Sequence, residues 1–189
     1  GVAFSGLAII FLIDYPALRC PFIYDDLAVI AFNPQIRFGT LLEALYFNPF
    51  RSLVYFSFWL QLQIGGWLAE PIGFRIINII LHWLTGLVLI KLSKALKPGL
   101  NHFSWALAFL FWTNPVFLEA INLIVARSEI LLTLFYFSGL YFHLKNSRRW
   151  LSSGLIILFF VLALFSKESA ITFPLTILLL SLYQKKPLA

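Results

Sequence analysis

Three polar stretches interrupt an otherwise apolar sequence, and each carries residue types that could take part in catalysis. The first contains two adjacent carboxylates, Asp25 and Asp26, and the second adds Glu119. Paired carboxylates favour bound positive charge, so they can hold a proton or a metal, or accept the proton of an attacking hydroxyl. Asp25 and Asp26 are therefore predicted catalytic residues. The alternative for the adjacent pair is an ordinary solvated loop.

Positively charged residues lie near the same stretches and are suited to binding phosphate. Arg127 can contact a phosphate through two parallel hydrogen bonds, whereas Lys167 acts as a point charge. Arg51 and Glu168 complete the predicted substrate-binding group. Carboxylates and cations at a lipid–water boundary suit a substrate that is linked to a lipid phosphate. The alternative is that Lys167 with Glu168, and Arg127 with Glu129, form ion pairs at the interface or are snorkelling groups.

Residues that bind transition metals are few and scattered. Three histidines and one cysteine show no metal-ligand spacing, so we predict no metal-ligating residue. The carboxylates would permit a divalent cation, but nothing in the sequence requires one, and the cofactor stays open. His82 falls inside an apolar segment, where we expect a structural hydrogen bond between helices.

The composition is that of an integral membrane protein. Hydrophobic residues make up 61% of the 189 residues and charged residues only 12%, and the mean hydropathy is +0.90. A soluble domain carries about 25% charged residues, so this chain would lack the polar surface to cover itself. The net charge of +6 comes mostly from short basic clusters between apolar segments. The predicted partners are therefore membrane lipids and not nucleic acid.

The apolar segments predict an all-α membrane domain of about six transmembrane helices over residues 1–189. The predicted spans are 2–13, 72–92, 103–112 with a continuation to 117, 130–144, 150–165 and 171–183. Residues 14–71 are predicted to form a long outer loop with interfacial helices. Because the sequence starts at Gly1 and has no methionine, we expect a fragment or a processed chain.

The charges predict how these spans are oriented. Basic clusters fall in alternate connections, and they contain Lys91, Lys94, Lys97, Lys145, Arg148, Arg149, Lys185 and Lys186. By the positive-inside rule, that side is cytoplasmic. All eight acidic residues fall on the other side of this topology. The acidic loops are therefore predicted to face the extracytoplasmic or lumenal side, in a bacterial inner membrane or a eukaryotic endoplasmic reticulum membrane.

A series of short motifs carries a resemblance to a known family. In order, they are Tyr24-Asp25-Asp26, Asn48-Pro49-Phe50-Arg51-Ser52-Leu53, Gly73-Phe74-Arg75-Ile76-Ile77-Asn78, Leu81-His82, Asn114-Pro115-Val116, Glu119-Ala120, Val125-Ala126-Arg127-Ser128-Glu129 and Lys167-Glu168-Ser169. Over most of its length the chain resembles the membrane part of the transmembrane and tetratricopeptide-repeat O-mannosyltransferases and their bacterial relatives. These are glycosyltransferases of the C fold that use polyprenyl-phosphate sugars.

The resemblance implies an inverting sugar transfer to an acceptor hydroxyl. It implies Asp25 as the leading base with Asp26 beside it, Glu119 as a second acid, and Arg127 and Lys167 facing the lipid phosphate. The chain departs from the family pattern at Ser52, where the family usually has proline, and at Asn114 and Phe117, where it usually has histidines. Family members also have several more spans. The alternative function is therefore a non-catalytic scaffold subunit of a larger membrane complex that keeps the same fold.

Overall fold

The computed structural model describes residues 2–145 and 149–184, which are helical apart from short connections. Its α-helices are α1 (Val2–Leu18), α2 (Pro34–Arg37), α3 (Leu41–Phe47), α4 (Ser52–Ile64), α5 (Pro71–Leu96), α6 (Asn101–Thr113), α7 (Pro115–Asn122), α8 (Arg127–Lys145), α9 (Arg149–Leu164) and α10 (Phe173–Tyr183). Single helical turns occupy Leu27–Ala31, Pro49–Arg51, Gly66–Ala69, Ile124–Ala126 and Glu168–Thr172. The predicted all-α class is confirmed for the described residues.

Within the described residues, two helices are long and apolar enough to cross a membrane, at Pro71–Leu96 and Ile124–Lys145. A third candidate is the pair α6 and α7, which is bent by 52°. Pro115 begins α7 and supplies no backbone N–H, so the helix cannot continue straight through it. Three shorter apolar helices lie at Phe4–Leu18, Leu151–Leu164 and Glu168–Tyr183. A membrane protein fits these helices, but the predicted count of about six spans is not confirmed, because a full span needs about 20 residues.

The segment predicted as an outer loop contributes to the core. Helix α1 continues beyond the expected end at residue 13 and includes Pro16. Helix α4 buries Val54, Tyr55 and Phe58 instead of lying only at an interface. Phe58 packs at the centre of a cluster that also contains Phe74 of α5. Of the aromatic residues that suggested interfacial helices, Tyr55 and Phe58 therefore belong to the protein interior, whereas Tyr46, Phe47 and Phe50 are exposed.

Helix α5 is the central helix and packs against α1, α6 and α8. Helices α5 and α8 run parallel, since Arg127 at the start of α8 contacts Asn78 near the start of α5, while Lys145 and Lys91 share a cavity at their other ends. Trp112 of α6 lies against Gly86 of α5, where a Cβ atom would meet its Nε1 at 2.0 Å. The close approach of α5 and α6 therefore depends on a glycine.

Candidate functional site

The two adjacent aspartates have different environments. Asp26 is fully buried, and its carboxylate accepts hydrogen bonds from the backbone N–H groups of Ile124 (3.4 Å) and Val125 (2.9 Å). Burial raises the pKa of Asp26, and these hydrogen bonds lower it by a smaller amount. Asp26 therefore fixes the turn that leads into α8.

Asp25 is exposed, and the part of the chain that the structure describes gives its carboxylate no hydrogen-bond partner. The backbone of Tyr24 lies in the left-handed region, with a φ of 47°. The turn at Tyr24 leads into the helical segment in which Asp25 faces solvent and Asp26 faces the interior. Of the adjacent pair, Asp25 is the carboxylate open to a substrate.

Arg127 is buried at the start of α8 and is held by four hydrogen bonds. It donates to Asn78 Oδ1 (2.7 Å), Ser57 Oγ (3.0 Å), Gln61 Oε1 (3.1 Å) and the carbonyl oxygen of Phe74 (3.1 Å). Its guanidinium also lies over the rings of two phenylalanines, at 4.7 and 5.5 Å from their centroids. The ion pair predicted as an alternative, Arg127 with Glu129, does not form, because the guanidinium faces into the bundle.

Arg75 and Asn78 are polar residues of α5 to which the sequence assigned no role. Arg75 donates to the carbonyl oxygens of Asn122 (3.2 Å), Pro21 (2.8 Å) and Cys20. Asn78 donates to the carbonyl oxygen of Ile121 at 3.3 Å. The signal that could have identified them is a charge and an amide inside an apolar span, where such groups need partners.

We call Asp26, Arg75, Asn78 and Arg127 the buried polar network. Its members bind the backbone at the C-terminal end of α7, in the turn that follows α7, and just after the end of α1. Most of these hydrogen bonds reach backbone groups far away in sequence, which is typical of residues that hold a fold together. The structure thus gives two of the predicted site residues, Asp26 and Arg127, a structural role.

Four other charged side chains form two ion pairs beside the starts of α4 and α8, and we call them the ion-pair cluster. Arg51 binds both carboxylate oxygens of Glu168, at 2.9 and 3.3 Å, and this contact lowers the pKa of Glu168 to about 2. Lys167, in the connection after α9, pairs with Glu129 in the first turn of α8. The predicted interfacial pair of Lys167 with its neighbour Glu168 does not form, because the extended backbone at Lys167 sends the two side chains to different partners.

An apolar cavity of about 300 Å³ lies next to this cluster, between α4, α5 and α8. It begins at Leu53, two residues after Arg51, and most of its lining is aliphatic or aromatic. Ser57, Gln61 and Arg127 supply its few polar groups. The backbone N–H of Leu53 donates to the carbonyl oxygen of Phe165 at 3.1 Å, which fixes the start of α4 beside the segment that carries Lys167. A charged cluster and an apolar cavity are therefore neighbours.

Glu119 is exposed on α7, and none of the described residues forms a hydrogen bond or ion pair with its carboxylate. Where the resembling family has histidines, Asn114 caps α7 through the N–H of Val116, and Phe117 packs on Phe111. His82 stacks on Phe111 at 4.5 Å, and its Nε2 has no partner among the described residues. The interhelical contact of His82 among the described residues is thus a ring stack on Phe111, and the expected hydrogen bond stays a prediction.

No group of three or more histidine, cysteine, aspartate or glutamate side chains within residues 2–145 and 149–184 could hold a metal ion.

The side chains of Arg148, Arg149, Lys185 and Lys186, which were used to predict the orientation, lie outside the described residues. Lys91, Lys94 and Lys145 do lie together, at the end of α5 and α8 that is remote from the ion-pair cluster. The side of the membrane that each end faces stays a prediction.

Several curated proteins are similar to this chain. A protein O-mannosyl-transferase of Caenorhabditis elegans is 28% identical, over 90% of this chain and 27% of its own length. Protein O-mannosyl-transferase TMTC3 of Homo sapiens is 25% identical, over 82% of this chain and 19% of its length. Protein O-mannosyl-transferase TMTC1 of Mus musculus is 32% identical, over 64% of this chain and 14% of its length.

No protein-family model and no solved structure matches the chain. The chain spans about a quarter or less of the length of these three curated relatives. The resemblance to the O-mannosyltransferases is confirmed at modest identity, whereas the bacterial relatives and the lipid donor stay predictions. The chain is therefore similar to one stretch of the protein O-mannosyl-transferases.

Proposed function

We propose that this chain is part of a membrane glycosyltransferase that transfers a sugar from a polyprenyl-phosphate donor to an acceptor hydroxyl on the extracytoplasmic face. The observation that carries the proposal is the similarity to protein O-mannosyl-transferases over as much as 90% of the chain. The exposed carboxylate of Asp25 supports it, because a base must be open to its substrate.

The donor phosphate would bind at the ion-pair cluster. Arg51 and Lys167 are only partly exposed, and each is neutralised by one carboxylate, Glu168 or Glu129. The donor phosphodiester carries one negative charge and the departing lipid phosphate up to two, so the phosphate could replace these carboxylates on the two cations as the reaction proceeds. The apolar cavity that begins at Leu53 would take the first units of the polyprenyl chain. Arg127 would then line the cavity and would not contact the phosphate directly.

The reaction would proceed in one step at the anomeric carbon. The acceptor oxygen forms a bond to this carbon while the bond to the lipid phosphate oxygen breaks. Asp25 takes the proton of the acceptor hydroxyl, and the phosphate leaves with the bonding electrons toward Arg51 and Lys167. No covalent intermediate is needed, and the configuration of the sugar inverts. Glu119 would be a second acid near the acceptor.

Few of the predicted catalytic acids are available to bind a divalent cation. Asp26 already uses both carboxylate oxygens for backbone N–H groups, so Asp25 is the one member of the pair that could bind a cation without loss of those bonds. Glu119 is the other exposed acid of the predicted catalytic group. A metal requirement would show as loss of transfer after chelation and recovery with Mg²⁺ or Mn²⁺.

The test is a transfer assay in membranes that contain the full-length protein, with labelled polyprenyl-phosphate sugars as donors. We expect Asp25→Asn to abolish transfer without a change in protein level. Glu70→Gln is the matched control, since Glu70 is also an exposed acid in a connection and should leave transfer unchanged. No transfer by the correctly inserted parent with any donor would reject the enzyme function in favour of the scaffold subunit.

A further inference from the structure

A basic pocket lies at the end of the bundle opposite the ion-pair cluster. It has a volume of about 410 Å³ and lies between the last turns of α5 and α8. Lys91, Lys94 and Lys145 line it together with Tyr141, Ala95 and Leu144, and we call it the lysine pocket. Neither the similarity to mannosyl-transferases nor the proposed reaction assigns a role to it.

The three ammonium groups of the lysine pocket have no counter-charge from the described part of the chain. Among the residues that the structure describes, no carboxylate lines the pocket, and neither of the two ion pairs includes these lysines. The partial negative charges at the C-terminal ends of α5 and α8 favour nearby cations, but they compensate only part of three full charges. Lys91 and Lys94 are also like charges at helical spacing i, i+3, which repel each other. An anion in the pocket would relieve this repulsion.

Aromatic rings hold two of the ammonium groups in position. The Nζ atom of Lys94 lies 5.8 Å from the centroid of Trp105, and that of Lys145 lies 5.7 Å from the centroid of Tyr141. Tryptophan and tyrosine are enriched at membrane–water interfaces, where one part of the ring is apolar and the other is wet. The pocket therefore combines fixed cations with the residue types of a lipid headgroup region.

We propose that the lysine pocket binds the phosphate headgroup of an anionic phospholipid. The pocket is formed at the ends of the two helices that are long and apolar enough to cross a membrane, so a lipid headgroup is the anion expected at that depth. Basic pockets between transmembrane helices on the cytoplasmic side suit such headgroups. Ala95 and Leu144 provide apolar contacts for the glycerol and the first acyl carbons. The bound lipid would join α5 to α8 and fix the end of the bundle in one leaflet.

The test measures lipid retention by the purified full-length protein in phosphatidylcholine vesicles with and without phosphatidic acid. After extraction into detergent, native mass spectrometry counts the bound phosphatidic acid. We expect about fivefold weaker retention for each lysine replaced by glutamine among Lys91, Lys94 and Lys145, and weaker retention at high salt. Lys94→Gln is compared with Lys97→Gln, since Lys97 follows the last turn of the same helix but does not line the pocket.

Two results would overturn the proposal. Equal retention of phosphatidic acid by Lys94→Gln and Lys97→Gln would show that the net charge of this end, and not the pocket, attracts the lipid. Displacement of phosphatidic acid by low concentrations of soluble glycerol phosphate would show a site for free phosphate compounds. Retention of phosphatidylcholine serves as the folding control and should be the same for all variants.

Discussion

The buried polar network and the ion-pair cluster contain the same kinds of side chains but use them differently. In the network, Asp26 and Arg127 are almost fully buried and bind backbone or amide groups without any ion pair between them. In the cluster, Arg51 and Glu168 are partly exposed and bind each other. Groups that bind each other at a surface can exchange partners when a ligand arrives, whereas buried groups cannot do so without leaving polar atoms unsatisfied. The network residues therefore stabilise the fold around the site, whereas the cluster residues are able to bind a ligand.

The largest effect is expected from replacing the centre of the buried polar network. Arg127→Met leaves the side-chain oxygens of Asn78, Ser57 and Gln61 without their donor in the interior. We expect a loss of about 3 kcal/mol in the free energy of unfolding, since each buried unsatisfied group costs about 1–3 kcal/mol. The measurement is denaturant unfolding in detergent micelles.

Arg51→Met is the matched control for Arg127→Met, because it removes the same side chain from the ion-pair cluster. Partly exposed ion pairs contribute about 1 kcal/mol or less, so we expect a much smaller change in unfolding free energy. Equal losses for the two variants would contradict the distinction between network and cluster.

A smaller effect is expected where the glycine of α5 meets α6. In Gly86→Ala the new Cβ atom would lie 2.0 Å from Nε1 of Trp112, so the two helices must separate or the indole must move. We expect a loss of about 2 kcal/mol in unfolding free energy from this overpacking. Gly154→Ala in α9 has nothing within 4 Å of the added atom and should stabilise the helix slightly. A stable Gly86→Ala variant would show that this contact is not tight.

The smallest effect is a pH dependence from the ion-pair cluster. The Arg51 guanidinium lowers the pKa of Glu168 from 4.5 to about 2. For an acid whose folded pKa is lowered, the contribution to stability is complete above 4.5 and is lost as the pH falls toward 2. Because the Glu168 side chain is 57% exposed, solvent screens the pair and the change is small. Thermal unfolding of the parent and of Glu168→Gln should differ above this window and converge below it.

The sequence predicted the long helices better than the roles of individual side chains. Long apolar segments identified α5 and α8, and the basic clusters correctly placed Lys145 at the same end as Lys91 and Lys94. The short motifs also led to the residues that bring α4, α8 and the segment after α9 together.

Roles that depend on tertiary contacts could not be predicted. Asp25 and Asp26 are adjacent and chemically identical, and only the packing of the turn before α8 decides which of them is buried. Likewise, Arg127 was predicted to bind phosphate, but in the structure its guanidinium donates to Ser57 and Gln61 of α4. The same α4 was predicted as interfacial from its aromatic residues. Such residues occur both in a core and at a membrane surface, so their presence alone does not distinguish the two environments.

The most direct test compares Asp25→Asn with Asp26→Asn in the full-length protein, with sugar transfer and unfolding temperature measured on each. We expect Asp25→Asn to keep the parent's unfolding temperature and to lose transfer by at least about 100-fold, the contribution of a general base. Asp26→Asn should lower the unfolding temperature, because the new amide would present a donor to the backbone N–H of Ile124 or Val125. Normal transfer by Asp25→Asn, or an unfolding temperature lowered as much as in Asp26→Asn, would contradict the assignment of Asp25 as the free base and Asp26 as its structural neighbour.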